Sequence, residues 1–410
     1  MNVGNPLKST AAIAQRVALL LSLCSSAIAQ PVEPVLISNI EDGNQGLLLT
    51  DPVAGLPTPV QTAFNLPPGA RPHGLAFLGA HALFQDFVQP VLYRAPLAGT
   101  SASAITLNGR STGSGTLAVE PLGRFALSVG ESGLGVGEAV VIDFRTVPPQ
   151  VATIAGNLRV LTFVTAAIDF APDRRAFVCH TNGVSVLSPP YTSVDFTMAF
   201  PAVIQSPSMC RLSRDGSRLF VTRVLSETVP SINGVRTTVA PYSTASTFVD
   251  LPAPGDVQGL GPMAVSPDGQ ALIVGQQFLF PPAFAGARAR AFLLRAPFIP
   301  GVVYQELTMP PGVTGMVCTD QGNVSDCPGF EHIEVSHDGS LAILTGNSGA
   351  DVAGAADRVP AVFIRDPFND ATRVSVAVQI GAPGAPEGRG AGGVRFRPDR
   401  VFADSMDGTP

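Results

Sequence analysis

The most regular unit of this chain is the stretch Met263-Ala-Val-Ser266-Pro267-Asp268-Gly269-Gln-Ala-Leu-Ile-Val274. Two runs of β-favouring, largely apolar residues flank a Ser-Pro-Asp-Gly tetrapeptide. In such a tetrapeptide proline presets the first corner of a tight turn, aspartate bonds back to the backbone, and glycine accepts a positive φ. The stretch therefore predicts an antiparallel strand–turn–strand unit.

Looser copies of this unit recur at intervals of several tens of residues. They span residues 168–179, 210–221 and 333–344, with weaker copies at 75–80, 117–123 and 394–400. Each interval holds two further strand-like runs, for example 139–143 and 361–364. Four strands in a repeat of about 50 residues are typical of a β-propeller blade. We predict an all-β, seven-bladed β-propeller with four-stranded antiparallel blades, numbered in chain order from the copy at 75–80.

The two ends of the chain are predicted to share the last blade. Only ten residues follow Arg400, which is too few for the strands that this blade still lacks. Residues 35–38, 46–50 and 60–64 have strand-like composition. We expect these N-terminal strands to join the C-terminal strand and close the ring, since closure removes open sheet edges.

Residues 1–29 have the features of a secretory signal peptide. Lys8 and Arg16 give a basic start, residues 17–23 are apolar, and Ala27-Ile-Ala29 fits the small-x-small cleavage rule. The apolar run is too short to span a bilayer. We predict an exported chain, periplasmic or extracellular, with a single propeller domain over residues 30–410, a short tail at 401–410 and no transmembrane segment in the mature form.

Composition argues against several functional classes. The formal net charge is −6, and charged residues make up 14% of the chain against a typical ~25%. With no basic run, nucleic acid is not an expected partner. Lys8 is the only lysine, so the mature chain would lack a Schiff-base lysine and a phosphate-binding Walker loop. No cofactor motif is evident, and a bound divalent metal is left open.

Four cysteines would remain after cleavage. Cys318 and Cys327 bracket a short polar segment, and in an exported protein this spacing favours a local disulfide. Cys179 and Cys210 fall on strands of neighbouring blades. They could bridge those blades or be two buried thiols, and the sequence does not choose between these alternatives.

Propeller geometry divides the loops between two rims. The Asp-Gly turns lie on one rim, which we call the turn side, and the loops that enter each blade lie on the other, the loop side. On the loop side the chain is extended in blades four to six, at residues 222–235, 276–289, 309–330 and 345–359. Long loops on a rigid scaffold commonly carry binding sites, so we expect a protein or small-molecule ligand there. Within them Asp320, Asn323 and Asp326 could place oxygens around a metal.

Two histidines on the loop side are candidate site residues. Counted back from the turns of blades one and six, His73 and His332 fall in matching positions, where their side chains can face the central channel. Arg71 and Glu331 accompany them, and these four are the candidate catalytic residues. Blades one and six are not neighbours, so the sequence does not predict that the two sets converge. A solvated rim histidine is the commoner alternative.

The repeat resembles that of the YVTN-type and lactonase-like seven-bladed β-propellers. Beyond the Ser-Pro-Asp-Gly turn, Phe220-Val-Thr-Arg223 is the nearest match to the Tyr-Val-Thr-Asn consensus. The resemblance covers most of the mature chain and implies the fold, which hosts lactonases, dehydrogenase subunits and binding proteins.

Three hypotheses for the function follow. The first is a binding or scaffold protein that acts through the extended loops of blades four to six. The second is a lactonase-like hydrolase with its site at the channel mouth, and the third is a non-redox subunit of a periplasmic dehydrogenase complex. We favour the first, because no catalytic constellation stands out in the sequence.

Overall fold

The fold can be followed through most of the chain. In the computed structural model the described residues are 33–39, 45–50, 52, 60–86, 89–99, 101–107, 116–131, 137–156, 158, 167–200, 208–223, 234–255, 257, 259–277, 290–310, 329–346, 361–378, 380 and 391–397. Within these ranges there is no α-helix, and hence none long and apolar enough to cross a membrane. The predicted signal segment 1–29 and the predicted tail 401–410 lie outside them.

The described residues form strands joined by turns. The strands are β1 (Val35–Asn39), β2 (Gln45–Leu49), β3 (Gln61–Ala63), β4 (Pro72–Leu78), β5 (His81–Asp86), β6 (Val91–Pro96), β7 (Ser103–Thr106), β8 (Thr116–Val119), β9 (Phe125–Glu131), β10 (Gly137–Asp143), β11 (Gln150–Thr153), β12 (Ile168–Phe170), β13 (Ala176–His180), β14 (Gly183–Leu187), β15 (Phe196–Ala199), β16 (Ser208–Leu212), β17 (Arg218–Arg223), β18 (Gly234–Val239), β19 (Val249–Pro252), β20 (Leu260–Val265), β21 (Ala271–Gln276), β22 (Ala291–Arg295), β23 (Gln305–Glu306), β24 (Phe330–Val335), β25 (Leu341–Gly346), β26 (Ala361–Arg365), β27 (Val374–Val378) and β28 (Ala391–Phe396).

In this part of the chain the strands form seven four-stranded antiparallel sheets, as predicted. Blades one to six are β4–β7, β8–β11, β12–β15, β16–β19, β20–β23 and β24–β27. The seventh sheet has the order β28-β1-β2-β3, with Val394 opposite Ile37. The predicted closure by N-terminal strands is therefore confirmed.

The first strand of each blade faces the centre of the ring. Around the circle each first strand contacts the first strand of the next blade, and β28 completes the ring by contacting β4. The blades then pack face to face, so their middle strands are apolar on both faces, as β25 shows with every residue buried. These inner strands line a central channel, and their polar residues are the candidates for function.

The Ser-Pro-Asp-Gly turns have the predicted chemistry. In blade five the Ser266 hydroxyl donates to Asp268, Asp268 accepts from the Gln270 N–H, and Gly269 has a φ of 70°. The Ala271 N–H in turn donates to the Ser266 oxygen at 2.8 Å. The same network recurs at residues 213–218 of blade four and 336–341 of blade six. The repeated turn is thus an architectural device.

A disulfide joins Cys179 of β13 to Cys210 of β16, with the Cα atoms 6.0 Å apart. Both residues are fully buried. Of the two alternatives that the sequence left open, the structure has the bridge between blades three and four. Cys318 and Cys327 lie outside the described residues, and their pairing stays a prediction.

Candidate functional site

Two β-bulges place side chains at the loop-side mouth of the channel. In β4 the pairing shifts between Pro72 and Gly74, which leaves His73 as the extra residue. In β24 it shifts in the same way between Phe330 and His332, which leaves Glu331 as the extra residue. A bulge re-aims the side chain of its extra residue, and bulges are common beside active sites.

The two bulge residues meet across the channel. His73 Nε2 lies 3.3 Å from Glu331 Oε2, and the two side chains are only 4% and 12% exposed. Blades one and six flank the closing blade, and at the narrow centre of the ring their first strands come within side-chain reach. Non-adjacent blades can therefore contribute to one site, which the sequence did not predict.

His332 completes this group. Its ring packs edge-to-face against that of His73, with centroids 6.5 Å apart. The residue is 2% exposed, and neither ring nitrogen has a hydrogen-bond partner. Burial holds the pKa of His332 well below its ordinary value, and Arg395, His73 and Arg211 lower it further. At neutral pH the ring is therefore uncharged, with one donor and one acceptor unused.

The expected equivalence of His73 and His332 is wrong by one position. The structure matches His73 with Glu331, and His332 with Gly74. The cause is the short turn of blade one, where two residues separate Leu78 from His81, whereas four separate Ser336 from Leu341 in blade six. Counting back from the turn therefore shifts the alignment. Bulges make this error hard to see in a sequence, because they insert a residue without breaking the pattern.

Arg71 does not join this cluster through its side chain. It is exposed, and its backbone N–H donates to Asp86 Oδ2 at 2.9 Å. Asp86 is fully buried and also accepts from the Gln89 N–H at 2.8 Å. No hydrogen bond or ion pair within the described ranges links the Arg71 guanidinium to His73, Glu331 or His332.

Deeper in the channel lies a charged layer that the sequence analysis missed. At an equivalent position near the turn-side end of their first strands, blades three, four, six and seven carry Asp169, Arg211, Glu334 and Arg395. Blades one, two and five have alanine at the same level, namely Ala76, Ala118 and Ala264. The signal was present in the aligned repeats, since each charged residue directly follows the first apolar residue of its copy.

The charges of this layer are paired across the channel. Glu334 Oε1 accepts from Arg211 Nη2 at 2.7 Å and also from Arg395 Nη1. Asp169 accepts the backbone N–H groups of Phe170 and Leu212 at 2.9 and 2.8 Å. Burial raises the pKa of Asp169, an effect that Arg211 opposes. Burial also lowers the pKa of Arg395, although Glu334 favours its charge.

A cavity of about 640 Å³ opens from this layer to the turn side. Asp169, Glu334 and Arg395 lie in its wall together with residues of the turns, among them Glu120, Arg214 and Arg397. The sequence led us to place chemistry on the loop side only. The structure shows that the turn side also has a polar, concave surface.

The extended loops of blades four to six fall largely outside the described residues, at 224–233, 278–289, 311–328 and 347–360. The metal candidates Asp320, Asn323 and Asp326 lie there too. Within the ranges given above, no group of three His, Cys, Asp or Glu side chains is placed to hold a metal ion. The metal hypothesis for the loops therefore stays a prediction.

Comparisons with known proteins place the chain by fold. No family model matches it, and no curated protein matches its sequence. A hypothetical selenium-binding protein from Sulfolobus tokodaii has a TM-score of 0.59 at 11% identity, over 90% of this chain and 94% of that one. Proteins from Bacteroides fragilis and Bacteroides uniformis, each provisionally assigned as a 6-phosphogluconolactonase, have TM-scores of 0.54 at 11% and 12% identity, over 90% of this chain and 99% and 100% of theirs.

These likenesses establish the fold alone, because the identities are low. The chain is a seven-bladed β-propeller whose structural neighbours include lactonase-like proteins. These comparisons do not confirm the resemblance to the YVTN-type propellers.

Proposed function

We propose that this chain is a binding protein that takes a small polar ligand into the loop-side mouth of its central channel. The observation that carries the proposal is the buried His332 ring with two unpartnered nitrogens. Buried polar groups are nearly always hydrogen-bonded, and each unsatisfied group costs about 1–3 kcal/mol. A ligand that brings one acceptor and one donor would offset this penalty.

The surroundings of His332 support the same assignment. The His73–Glu331 pair lies beside it and adds a hydrogen-bonding edge to the mouth. The extended loop of residues 309–330 ends where β24 begins, so this site and the loop predicted to bind ligands belong to the same end of blade six. An exported location would let such a protein meet its ligand outside the cytoplasm, and that location remains part of the proposal.

Native mass spectrometry of the purified chain tests the binding function. We expect a small molecule to remain bound to the unmodified protein and to be absent from His332→Phe, which removes both ring nitrogens. His81→Phe is the matched control, because His81 lies on the turn side and contacts Arg94 instead. Retention of the bound mass in His332→Phe, or its absence from the unmodified protein, would contradict the proposal.

A lactonase-like hydrolase is the second candidate, favoured by the neutral state of His332. A neutral imidazole can take the proton of a water molecule as its oxygen adds to a lactone carbonyl. It can return that proton to the ring oxygen when the carbon–oxygen bond breaks. In this scheme Glu331 holds His73 in place through their hydrogen bond, and His73 orients the substrate.

Hydrolysis of 6-phosphogluconolactone and of simple δ-lactones tests this second candidate. If the hydrolase hypothesis holds, we expect His332→Phe to lower kcat by about 10²-fold or more, as loss of a general base does. Glu331→Gln should lower it less, and the His81→Phe control should not change it. Absence of turnover above the uncatalysed rate would remove this candidate and leave the binding proposal standing.

A further inference from the structure

The turn-side cavity lies beside two adjacent blades that have alanine at the level of the charged layer. Blades one and two have Ala76 and Ala118 where blades three and six have Asp169 and Glu334. The cavity that these alanines help to line has a volume of about 640 Å³. Sites for small organic ligands commonly have volumes of about 300–1,000 Å³.

The acidic groups in the cavity wall already have partners. Glu120 accepts from Arg174 Nε at 2.9 Å and from the Tyr191 hydroxyl at 3.1 Å. Glu334 is shared by two arginines, and Asp169 accepts two backbone N–H groups. These carboxylates are therefore not oriented to attract a cation.

The cavity wall carries three carboxylates and three guanidinium groups, those of Glu120, Asp169, Glu334, Arg214, Arg395 and Arg397. The carboxylates are already hydrogen-bonded within the protein. The Arg397 guanidinium instead donates to the backbone carbonyl of Gly79 at 3.3 Å, which is a neutral acceptor. Its positive charge therefore favours an anionic guest.

The rest of the wall is apolar. Phe77, Leu122, Phe170 and Phe396 line the cavity beside the charged groups. A strongly hydrated dianion would gain little from such a surface, whereas an apolar body with one carboxylate would match both parts. The guanidinium fork also suits a carboxylate, which it can bind through two parallel hydrogen bonds.

We propose that the turn-side cavity is a second ligand site, which binds a small organic monocarboxylate with an apolar body. It lies at the opposite end of the channel from His73 and His332, so it is independent of the function proposed above. The carboxylate pairs with Arg397 at the mouth, and the apolar body packs over Ala76 and Ala118 against the phenylalanine rings.

Calorimetric titration of the full chain with phenylacetate, 3-phenylpropionate and octanoate tests this site. We expect binding of these acids, with phenylacetamide, the neutral analogue of the first, binding about tenfold more weakly. Arg397→Gln should weaken the binding of the acids by about tenfold. Ala118→Leu, which narrows the cavity without changing its charge, should also weaken it.

Arg295→Gln is the matched control. Arg295 also lies on the turn side and donates to a backbone carbonyl, that of Phe368, but outside this cavity. It should leave binding unchanged. The proposal fails if none of the acids binds, if phenylacetamide binds as tightly as phenylacetate, or if Arg397→Gln behaves like Arg295→Gln. If Ala118→Leu does not fold, as shown by its thermal unfolding, the two arginine variants and the amide decide the question.

Discussion

Glu334→Ala is expected to lower the free energy of unfolding by about 3–5 kcal/mol, the range found when one partner of a buried ion pair is removed. Glu334 is the acid between Arg211 and Arg395, whose side chains are 8% and 19% exposed. Without it, two guanidinium groups would repel one another in a confined space. Asp169 could compensate only in part, since burial raises its pKa and disfavours its charged form. Urea denaturation at pH 7 measures the loss.

Two further variants separate this effect from a general sensitivity to mutation. Glu306→Ala breaks an exposed ion pair in which Glu306 Oε2 lies 2.7 Å from Arg290 Nη2. This variant should lower the free energy of unfolding by no more than about 1 kcal/mol. The triple variant Arg211→Met, Glu334→Leu, Arg395→Met removes all three charges and should regain most of the stability lost in Glu334→Ala. Equal losses for Glu334→Ala and Glu306→Ala would contradict the prediction.

The architecture was predictable because the repeat encodes it locally. Ser266, Asp268 and Gly269 specify a turn through their own chemistry, so the number of blades follows from counting turns. The closing blade followed from the strand-like composition of residues 35–38, 46–50 and 60–64. Both inferences need only short-range patterns and the avoidance of open sheet edges.

The site was only partly predictable because it depends on contacts between blades that are distant in sequence. His73, Glu331 and His332 could be chosen as candidates, yet their meeting required the convergence of first strands at the ring centre. The charged layer was readable in principle, since Arg211 and Glu334 stand at the same level of their repeats. Their pairing across the channel was not, because it depends on the length and direction of two side chains.

The cavity on the turn side shows a further limit of sequence reasoning. Ala76 and Ala118 look like ordinary strand residues and carry no chemistry of their own. Their importance comes from what the other blades place at the same level. Such a cavity depends on residues that are small relative to their structural equivalents in other blades. Those equivalents become visible when the first strands are aligned by their position along the channel rather than by counting from the turns.

Two buried histidines are expected to respond in opposite ways to the same substitution. His180 is as buried as His332, with 3% against 2% of its surface exposed. In His180, however, both ring nitrogens have hydrogen-bond partners. Its Nε2 lies 2.9 Å from the Ser185 hydroxyl, and its Nδ1 accepts from the Asn182 N–H at 3.3 Å. We expect His180→Phe to lower the free energy of unfolding by about 2–3 kcal/mol, because it breaks both bonds. His332→Phe should raise it by about 1–2 kcal/mol, because it removes unsatisfied polar atoms.

The pH dependence of stability gives a second readout for the same pair. Burial lowers the pKa of His180 from 6.5 to about 4, and the pKa of His332 is also lowered. As the pH falls below 6.5, the unfolded chain takes up these protons before the folded chain does. The free energy of unfolding should therefore fall by about 1.4 kcal/mol per pH unit for each histidine, a slope that ends for His180 near its folded pKa.

Urea denaturation at pH 7.5 and pH 5 measures both effects. In each phenylalanine variant, the free energy of unfolding should fall less between pH 7.5 and pH 5 than in the unmodified protein, because one histidine no longer contributes. At pH 7.5 itself, His180→Phe should be less stable and His332→Phe more stable than the unmodified protein. A large loss of stability in His332→Phe at pH 7.5 would mean that the ring is already satisfied in solution, and the prediction would then be wrong. A gain in stability that accompanies loss of ligand binding would instead identify His332 as a residue retained for binding at the expense of the fold.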